Sequence, residues 1–483
     1  MQNTPLCLTD ALTSRTPVVQ LASLLALLSA SVSWAAETTL PPNFIVVFCD
    51  DLGYADIGPF GAQRHATPTL NQMALEGMRL TDFYSTCSVC TPSRSSLMTG
   101  CYPRRVNMHV DERNLCVLFP AARKGLHPDE VTIAEILRGA GYATACIGKW
   151  HLGDHPRFLP TKQGFDQYFG IPYSNDMHRK PVPLPLVRNE TVIEAPVQQE
   201  TITQRYTEEA VTFIRANKAR PFFLYLPHTA VHLPLFPGKD FRGKSRGGKY
   251  GDWVEEIDWS MGRLLETLRR EGIDRRTLVL FTSDNGSYRE KAGSNAPLRG
   301  RKGRTDEGGM RVPCVIRWPG KIPANTHSAA VTSTIDLLPT FAKLAGTTAP
   351  ADRTIDGRDI WPILNGQPAA TSPHEAFYYY QMDQLQAVRS GRWKLFVPLA
   401  SKKRNWGKPE GKTELKLFDL VADIHEDHNV AAAHPKVVTR LLQWAERARA
   451  DLGDMEQEGT GQRPAGWVDK PSPRLAAGTS TES

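Results

Sequence analysis

Short apolar runs alternate with amphipathic stretches between residue 42 and about residue 371. Runs such as 43–51 and 277–286 have the length and composition of strands that are buried on both faces of a sheet. The stretch 253–270 instead repeats its apolar residues every three or four positions, which predicts an amphipathic helix. Strands that alternate with helices predict an α/β fold, in which helices sandwich a large, mostly parallel sheet.

The pattern changes after residue 373. Residues 375–398 and 414–421 predict short antiparallel strands, and 434–452 predicts a closing helix. The last residues are rich in Gly, Pro, Ser and Thr and have few apolar anchors, a composition typical of disorder. These patterns predict a large domain at 37–372, a smaller C-terminal α+β domain at 373–455 and a disordered tail at 456–483.

The N-terminal residues 1–36 have the features of a secretory signal peptide. Arg15 precedes an apolar stretch at 18–36, and the small residues Ser33 and Ala35 frame a cleavage point. A membrane anchor is the alternative, since the apolar stretch is nearly long enough to span a bilayer. We expect an exported protein (periplasmic, secreted or in a lysosome-like compartment) without a stable membrane anchor after cleavage.

Composition narrows the function classes further. The chain has 483 residues, 41% hydrophobic content and a net charge of +7, which is mild for this length. A basic face interleaved with aromatic residues is absent from the sequence, so we expect no nucleic-acid partner. Seven cysteines remain after the signal peptide, an odd number that leaves at least one unpaired or chemically special.

Polar side chains follow several of the predicted strands at the point where each strand ends. They are Asp50 and Asp51, Lys149 and His151, His228 and His232, and Asp284 and Asn285. The carboxyl ends of parallel strands line the ligand crevice of an open α/β sheet, so we expect these groups to meet at one edge. A single strand ending in polar residues would mean little, but four with complementary chemistry indicate a site.

Four of these residues offer only hard oxygen ligands: Asp50, Asp51, Asp284 and Asn285. Such donors suit Ca²⁺, or Mg²⁺, rather than zinc. Ca²⁺ takes about six to eight oxygens, so a nucleophile and a substrate oxygen would complete its coordination. An Asp-Asp pair alone is more often a turn or a helix cap, but the second strand end with Asp-Asn-Gly favours a metal site.

The segment 87–100, CSVCTPSRSSLMTG, contains two cysteines three positions apart. A redox pair is one interpretation of Cys87 and Cys90. However, Cys90 also begins a longer pattern, C-x-P-S-R-x-x-x-M-T-G, in which Pro92 suits the first turn of a helix. Arg94 would add positive charge near the start of that helix, where the dipole already favours negative charge.

This pattern resembles the signature of the sulfatase family, in which the cysteine is oxidised to formylglycine by a formylglycine-generating enzyme. Other blocks resemble the family in the same order, namely 48–58, 141–153, 164–176, 281–286 and 299–313. The resemblance covers roughly 43–450 and is closest to the arylsulfatase and N-acetylgalactosamine-6-sulfatase types. It implies a fold like that of alkaline phosphatase. Short motifs often match by chance, but an ordered set of six does not.

The resemblance also implies catalytic roles. Residue 90, as a formylglycine hydrate, would attack sulfur with one hydroxyl, and its second hydroxyl would then expel sulfate. Asp284 would bind the metal and activate the hydrate as a base. Arg94 would support the nucleophile and the metal ligands. His151 would help to deprotonate the hydrate in the elimination step.

Four further positions match the family's substrate-binding residues. Lys149 and Lys302 would bind the sulfate, with Ser174 as a lesser partner. His232 would hold the sulfate and, with Lys302, protonate the leaving oxygen. The implied metal ligands are Asp50, Asp51, Cys90 as formylglycine, Asp284 and Asn285.

The sequence therefore predicts an exported, calcium-dependent sulfuric-ester hydrolase whose substrate is a sulfated small molecule or glycan. A phosphodiesterase or phosphonate monoester hydrolase of the same superfamily is one alternative. A non-catalytic relative that binds sulfated glycans is another. Cys87 lies outside the signature, and a disulfide to Cys90 would block the conversion, so we expect Cys87 to be packed or paired elsewhere.

Overall fold

The computed structural model describes residues 40–178, 182–288 and 293–474. The strands in these ranges are β1 Asn43–Cys49, β2 Met78–Leu80, β3 Phe83–Tyr84, β4 Lys124–Gly125, β5 Ala143–Ile147, β6 Gln167–Gly170, β7 Leu186–Arg188, β8 Thr191–Glu194, β9 Phe222–Pro227, β10 Thr277–Ser283, β11 Val315–Arg317, β12 Thr326–Ser328, β13 Thr332–Ser333, β14 Phe377–Gln381, β15 Gln384–Ser390, β16 Trp393–Phe396, β17 Lys416–Asp419 and β18 Gly466–Trp467. The helices are α1 Pro68–Leu75, α2 Cys90–Thr99, α3 Ile133–Gly139, α4 Ile202–Asn217, α5 Gly248–Arg270, α6 Glu307–Met310, α7 Leu337–Leu344, α8 Trp361–Leu364 and α9 Pro435–Leu452. The predicted signal peptide at 1–36 lies outside the described residues.

The main sheet has ten strands in the order β12-β2-β11-β10-β1-β9-β5-β6-β7-β8. Its centre, from β10 to β6, is parallel, whereas β11 and β7 run antiparallel to their inner neighbours. The central strand β1 is buried along its whole length, which explains its unbroken apolar sequence. The mostly parallel α/β sheet confirms the predicted fold class.

Successive residues of β1 enter two separate cores, one on each face of the sheet. Ile45 and Val47 pack in the core that includes the buried faces of α1, α4 and α5. Phe44 and Val46 pack in the core on the other face, with α3 and α7. This alternation follows from the two-residue period of a strand, and it gives the sheet its sandwich of helices.

The C-terminal residues form a second, antiparallel sheet in the order β14-β15-β16-β17, with α9 packed against it through Ala445, Ala448 and Leu452. The antiparallel strands and the closing helix confirm that part of the fold prediction. The described residues from Leu40 onward form one compact unit, and the boundary at residue 373 stays a prediction.

A buried network of charges joins the second sheet to α6 and to β3. The carboxylate of Glu307 contacts Lys394 Nζ at 3.0 Å, accepts a hydrogen bond from Tyr379 at 2.8 Å and also accepts one from Tyr84. Lys394 Nζ also lies 2.8 Å from Glu426 Oε1. Burial opposes the charge of Glu307, but Lys394, Arg389 and Arg311 hold its pKa below the usual range.

The predicted disordered tail differs from the structure as far as Arg474. Trp467 lies in β18, which pairs with β4. Arg463 forms an ion pair with Glu130 at 2.7 Å. The backbone of β18 and the side chain of Arg463 supply anchors that the average composition of the tail does not reveal. Among the residues that the structure describes, no helix is long and apolar enough to cross a membrane.

Candidate active site

Two parallel strands bring the predicted oxygen donors together. β1 and β10 pair in register, with Cys49 opposite Ser283, so Asp50 and Asp284 leave the sheet side by side. The backbone N–H of Asp51 donates to Asp284 Oδ1 at 3.1 Å, and Asn285 Nδ2 donates to Asp51 Oδ1 at 2.8 Å. The three aspartates and Asn285 are buried. The sheet edge therefore gathers them as the strand pattern predicts.

Cys90 is the first residue of α2 and faces these carboxylates. Its Sγ lies 3.3 Å from Asp50 Oδ1 and 3.5 Å from Lys302 Nζ. The preceding Val89 is extended, and Gly100 ends the helix in the left-handed conformation, with φ at 67°. All ten residues of α2 are buried although most are polar, and several hydroxyl groups form hydrogen bonds, such as that of Thr86 to Ser96 Oγ and that of Thr99 to the carbonyl oxygen of Ser95.

Arg94 lies one turn after Cys90 on α2 and is fully buried. Its Nη2 contacts Asp284 Oδ2 at 2.8 Å and Asp50 Oδ1 at 3.6 Å, and its Nη1 donates to the carbonyl oxygen of Lys149 at 3.0 Å. Breaking one partner of such a buried charge pair costs about 3–5 kcal/mol in typical proteins. Arg94 therefore fixes the ends of three strands, β1, β5 and β10, relative to the helix that carries Cys90.

Two lysines bring positive charge to the same point. Lys149 follows β5, and its Nζ lies 2.5 Å from Asp50 Oδ2 and 3.2 Å from Ser174 Oγ. Lys302 reaches in from the segment before α6, and its Nζ lies 2.6 Å from Asp51 Oδ1. Both ammonium groups are buried, and both can hydrogen-bond to an anion held beside Cys90.

His232 stands on the open side of the site, where 12% of its side chain is exposed. Its Nε2 lies 3.7 Å from Asp51 Oδ2, and Ser174 Oγ lies 3.4 Å from its ring nitrogens. Asn175, which sequence reasoning missed, places its Oδ1 3.0 Å from His232 Nδ1. Its position directly after Ser174 in the block 164–176 was the available signal.

The side chains of His151 and His228 lie in different environments. The Nε2 of His151 lies 2.9 Å from the carbonyl oxygen of Leu118, and its buried Nδ1 has no hydrogen-bond partner among the described residues. His228, which follows the apolar run of β9, points away from the site. Its Nε2 lies 3.3 Å from Ser260 Oγ on α5, and burial lowers its pKa to about 3. His228 thus belongs to the helix side of the sheet.

The two cysteines of the segment 87–100 are separate in space and in partners. Cys87 packs with Val89 and Cys116 in a small apolar cluster, and neither Cys87 nor Cys90 forms a disulfide within the described residues. Burial raises the pKa of the Cys87 thiol to about 12, so it is an inert packed group. This geometry does not support a redox pair of Cys87 and Cys90.

The donors fit a hard divalent cation. Single ligand atoms from Asp50, Asp51, Cys90 and His232 all lie within 4.8 Å of one another. Asn285 Oδ1 is buried and accepts no hydrogen bond from any described residue, which is costly for a polar atom unless a cation takes that place. The oxygen donors of Asp50, Asp51 and Asn285 favour a hard cation such as Ca²⁺ or Mg²⁺ over zinc. The predicted metal ligands are therefore adjacent to one another.

The charged groups of the site strongly shift one another's pKa values. Burial opposes ionisation of Asp50, but Lys149, His232 and Arg94 hold its pKa well below the usual range. Burial and the charge of Asp50 raise the pKa of Asp284. Burial, Asp284 and Asp50 also raise the pKa of the Cys90 thiol well above its ordinary value. Perturbed carboxylates beside buried cations are typical of an enzyme site that handles a charged substrate.

The fold and the site thus define an α/β enzyme in which buried cationic side chains lie beside a set of oxygen ligands. The family model described as Sulfatase matches residues 42–347, and the model described as N-sulphoglucosamine sulphohydrolase, C-terminal, matches residues 302–450. The chain belongs to the sulfatase family, and it is a hydrolase of sulfate esters. The alkaline-phosphatase-like architecture that the resemblance implies is confirmed.

Named relatives and one solved structure support this family assignment. Arylsulfatase A of Homo sapiens is 37% identical over 467 residues, which cover 87% of this chain and 89% of that protein. N-acetylgalactosamine-6-sulfatase of Canis lupus familiaris is 40% identical over 392 residues, which cover 77% and 74%. The crystal structure of Ps i-CgsB in complex with k-i-k-neocarrahexaose is 31% identical with a TM-score of 0.71, and covers 84% of this chain and 92% of that one.

Proposed function

We propose that this sulfatase cleaves sulfate monoesters with a formylglycine at position 90, formed from Cys90 after translation, beside a bound Ca²⁺. The position of Cys90 carries the proposal, since Asp50 and Lys302 both lie within 3.5 Å of its sulfur at the start of α2. A formylglycine hydrate supplies a nucleophile that can accept sulfate and later release it without attack of water on sulfur. Every other role falls to side chains that surround this position.

The negative oxygens of the substrate are assigned to the cations of the site. Lys149 and Lys302 bind the sulfate, and Ser174 assists Lys149, whose Nζ it contacts at 3.2 Å. His232 holds the sulfate from the open side and, with Lys302, supplies the proton to the leaving oxygen. These groups are fixed before the substrate arrives, which favours stabilisation of charge in the transition state.

Proton transfer at residue 90 is assigned to Asp284 and His151. Arg94, which lies one turn after Cys90 on α2, fixes Asp284 through the 2.8 Å contact to its Oδ2. Burial and nearby Lys149 lower the pKa of His151, so the neutral ring can accept a proton during release of sulfate. The candidate atom is its Nδ1, which accepts no hydrogen bond from the part of the chain that the structure describes.

Asp50, Asp51, Asp284 and Asn285 would hold the cation together with residue 90. Ca²⁺ is the expected ion, and Mg²⁺ is the alternative. When bound, the ion would supply positive charge that stabilises the anionic groups of the reaction. Lys149 and Lys302 contact Asp50 and Asp51, and their ammonium groups could instead donate to sulfate oxygens.

A sulfated glycan is the proposed natural substrate. This rests on the names of the relatives, since one acts on N-acetylgalactosamine 6-sulfate and another structure contains a neocarrahexaose. Export through a signal peptide at 1–36 fits a polymer substrate outside the cytoplasm. The N-terminal sequence of protein recovered from the periplasm or medium tests the export, and we expect the mature chain to begin close to residue 37.

Mass spectrometry of the tryptic peptide Leu80–Arg94 tests the nucleophile, with protein made alongside a formylglycine-generating enzyme. We expect an aldehyde in place of the thiol of Cys90, together with hydrolysis of an aryl sulfate. Sulfatase activity with an intact thiol would contradict the proposal. Faster hydrolysis of an aryl phosphodiester would favour a phosphodiesterase, and glycan affinity without turnover, despite the aldehyde, would favour a binding relative.

A further inference from the structure

One exposed aromatic side chain lies next to the active site. Trp406, in the segment between β16 and β17, is 46% exposed and packs against Gly303. Gly303 has φ at +80°, and a Cβ there would lie 2.4 Å from the Trp406 ring, so both the backbone and the ring require glycine. The Trp406 indole therefore packs in a space that is open only because residue 303 is a glycine. An isolated apolar residue on a surface has no such fixed contact.

Gly303 places this ring beside the groups that bind the substrate. It directly follows Lys302, whose Nζ lies 3.5 Å from Cys90 Sγ. The N–H of Gly303 donates to the carbonyl oxygen of Ser88 at 2.9 Å, and the N–H of Lys302 donates to that of Ser287 at 3.0 Å. Trp406 thus rests on the backbone that carries the sulfate-binding lysine and is fixed to the segment that precedes Cys90.

A second ring and a cation extend the surface. Tyr288 meets Trp406 edge to face, with ring centres 5.8 Å apart, and the Arg301 guanidinium lies 5.9 Å from the centre of the Tyr288 ring. Arg301 is exposed and forms no ion pair within 40–178, 182–288 and 293–474. We call Tyr288, Arg301 and Trp406 the aromatic platform.

We propose that the aromatic platform binds the sugar residue adjacent to the sulfated one in an anionic oligosaccharide. The C–H face of a pyranose ring can stack on the open indole, and Arg301 can pair with a sulfate or carboxylate on that second sugar. Exposed Arg404 and Lys408 flank Trp406 in the chain and add positive charge. A steroid sulfate would instead require a closed apolar wall, which this open and cationic surface does not offer. The proposal rests on the proposed function and specifies its substrate class.

Enzyme kinetics test the aromatic platform, with Trp406→Ala as the variant and Trp467→Ala as the matched control. Trp467 is 45% exposed and lies on β18, where it contacts Arg123. The substrates are an aryl sulfate, carrageenan oligosaccharides, sulfated N-acetylgalactosamine-containing disaccharides and a steroid sulfate. We expect Trp406→Ala to lower the ratio of kcat/KM for oligosaccharide to that for aryl sulfate roughly tenfold, mostly through KM. Trp467→Ala should leave the ratio unchanged, and Trp406→Phe should restore part of it.

Several outcomes would overturn the proposal. They are an equal loss on every substrate, no loss on oligosaccharides, a loss confined to the steroid sulfate, or hydrolysis of aryl sulfate with no turnover of any oligosaccharide. Melting temperatures of the variants separate loss of binding from misfolding. Calorimetric binding of the same oligosaccharides to Cys90→Ala protein, with and without Trp406, keeps the test independent of the formylglycine chemistry. We expect the Kd to rise about tenfold without the indole, and an unchanged Kd would overturn the assignment.

Discussion

The side-chain amide of Asn285 donates to Asp51 at 2.8 Å, while its oxygen is buried with no hydrogen-bond partner in the described part of the chain. The side-chain nitrogen of Asn285 thus links the ends of β1 and β10, and its side-chain oxygen can coordinate a cation. We predict that a chelator abolishes aryl sulfate hydrolysis and that Ca²⁺ restores it. Ca²⁺ should also raise the melting temperature, because it binds only the folded chain.

Two substitutions of Asn285 test its role as a metal ligand. Asn285→Ala should raise the Ca²⁺ concentration for half-maximal activity by about tenfold or more, since a ligand oxygen is lost. Asn285→Asp keeps an oxygen and should show a smaller change. A Ca²⁺ dependence that is the same in all three proteins would contradict the assignment of this ligand.

Separate environments of Cys87 and Cys90 predict separate phenotypes. Cys87→Ala should still acquire the aldehyde at position 90, because Cys87 only packs with Val89 and Cys116. Its cost to folding should be small, about 1 kcal/mol, as for a minor loss of buried volume. Cys90→Ala should fold and yet show no turnover. The peptide mass and aryl sulfate hydrolysis of both variants check this, and an unconverted, folded Cys87→Ala protein would contradict it.

Glu307 is predicted to matter for stability. Glu307→Gln leaves Lys394 and Arg389 with less negative charge in a buried place, so the free energy of unfolding should fall by about 3 kcal/mol. Glu446→Gln is the matched control, because its ion pair with Arg449 is on the surface, where such pairs contribute about 0–1 kcal/mol. Denaturant unfolding of both variants gives the comparison. Equal losses would show that the network does not stabilise the contact between α6 and the second sheet.

The pair of His374 and Asp336 predicts a pH dependence of stability. His374 Nε2 lies 2.8 Å from Asp336 Oδ1; burial opposes its charge, yet Asp336 raises its pKa above the ordinary value. The stabilisation is therefore fully present below about pH 6.5, the unfolded pKa, and is lost as pH rises through the raised folded pKa. The difference in unfolding free energy between wild type and His374→Gln should shrink across that range. His425→Gln, at an exposed pair with Asp427, should show little change, and a constant difference for His374→Gln would contradict the prediction.

Much of the site follows from strand direction alone. Asp50 and Asp284 could be predicted together because parallel strands end at one edge, and the signature fixes Cys90 and Arg94 on one helix. The placement of His228 could not be predicted, since it depends on which side of the sheet the chain turns after β9. Asn175 was missed because its role is to contact His232, a residue 57 positions away.

The parts of the fold that escaped prediction depend on contacts between distant segments. The charged network around Glu307 joins residues from three separate segments, and no local sequence pattern predicts such a network. The tail up to Arg474 likewise has the composition of a disordered segment, but Arg463 and the backbone of β18 find partners more than 300 positions earlier. Local composition reports the average character of a segment, whereas these contacts depend on single residues.

The complete burial of α2 has a consequence for the order of events during biosynthesis. Cys90 is only 2% exposed, and the nine residues that follow it in the helix are buried as well. A second protein cannot reach that thiol once the sheet and helices have closed around it. The proposed oxidation must therefore precede folding. A chain that folds with the Cys90 thiol still intact would stay inactive unless it unfolds again.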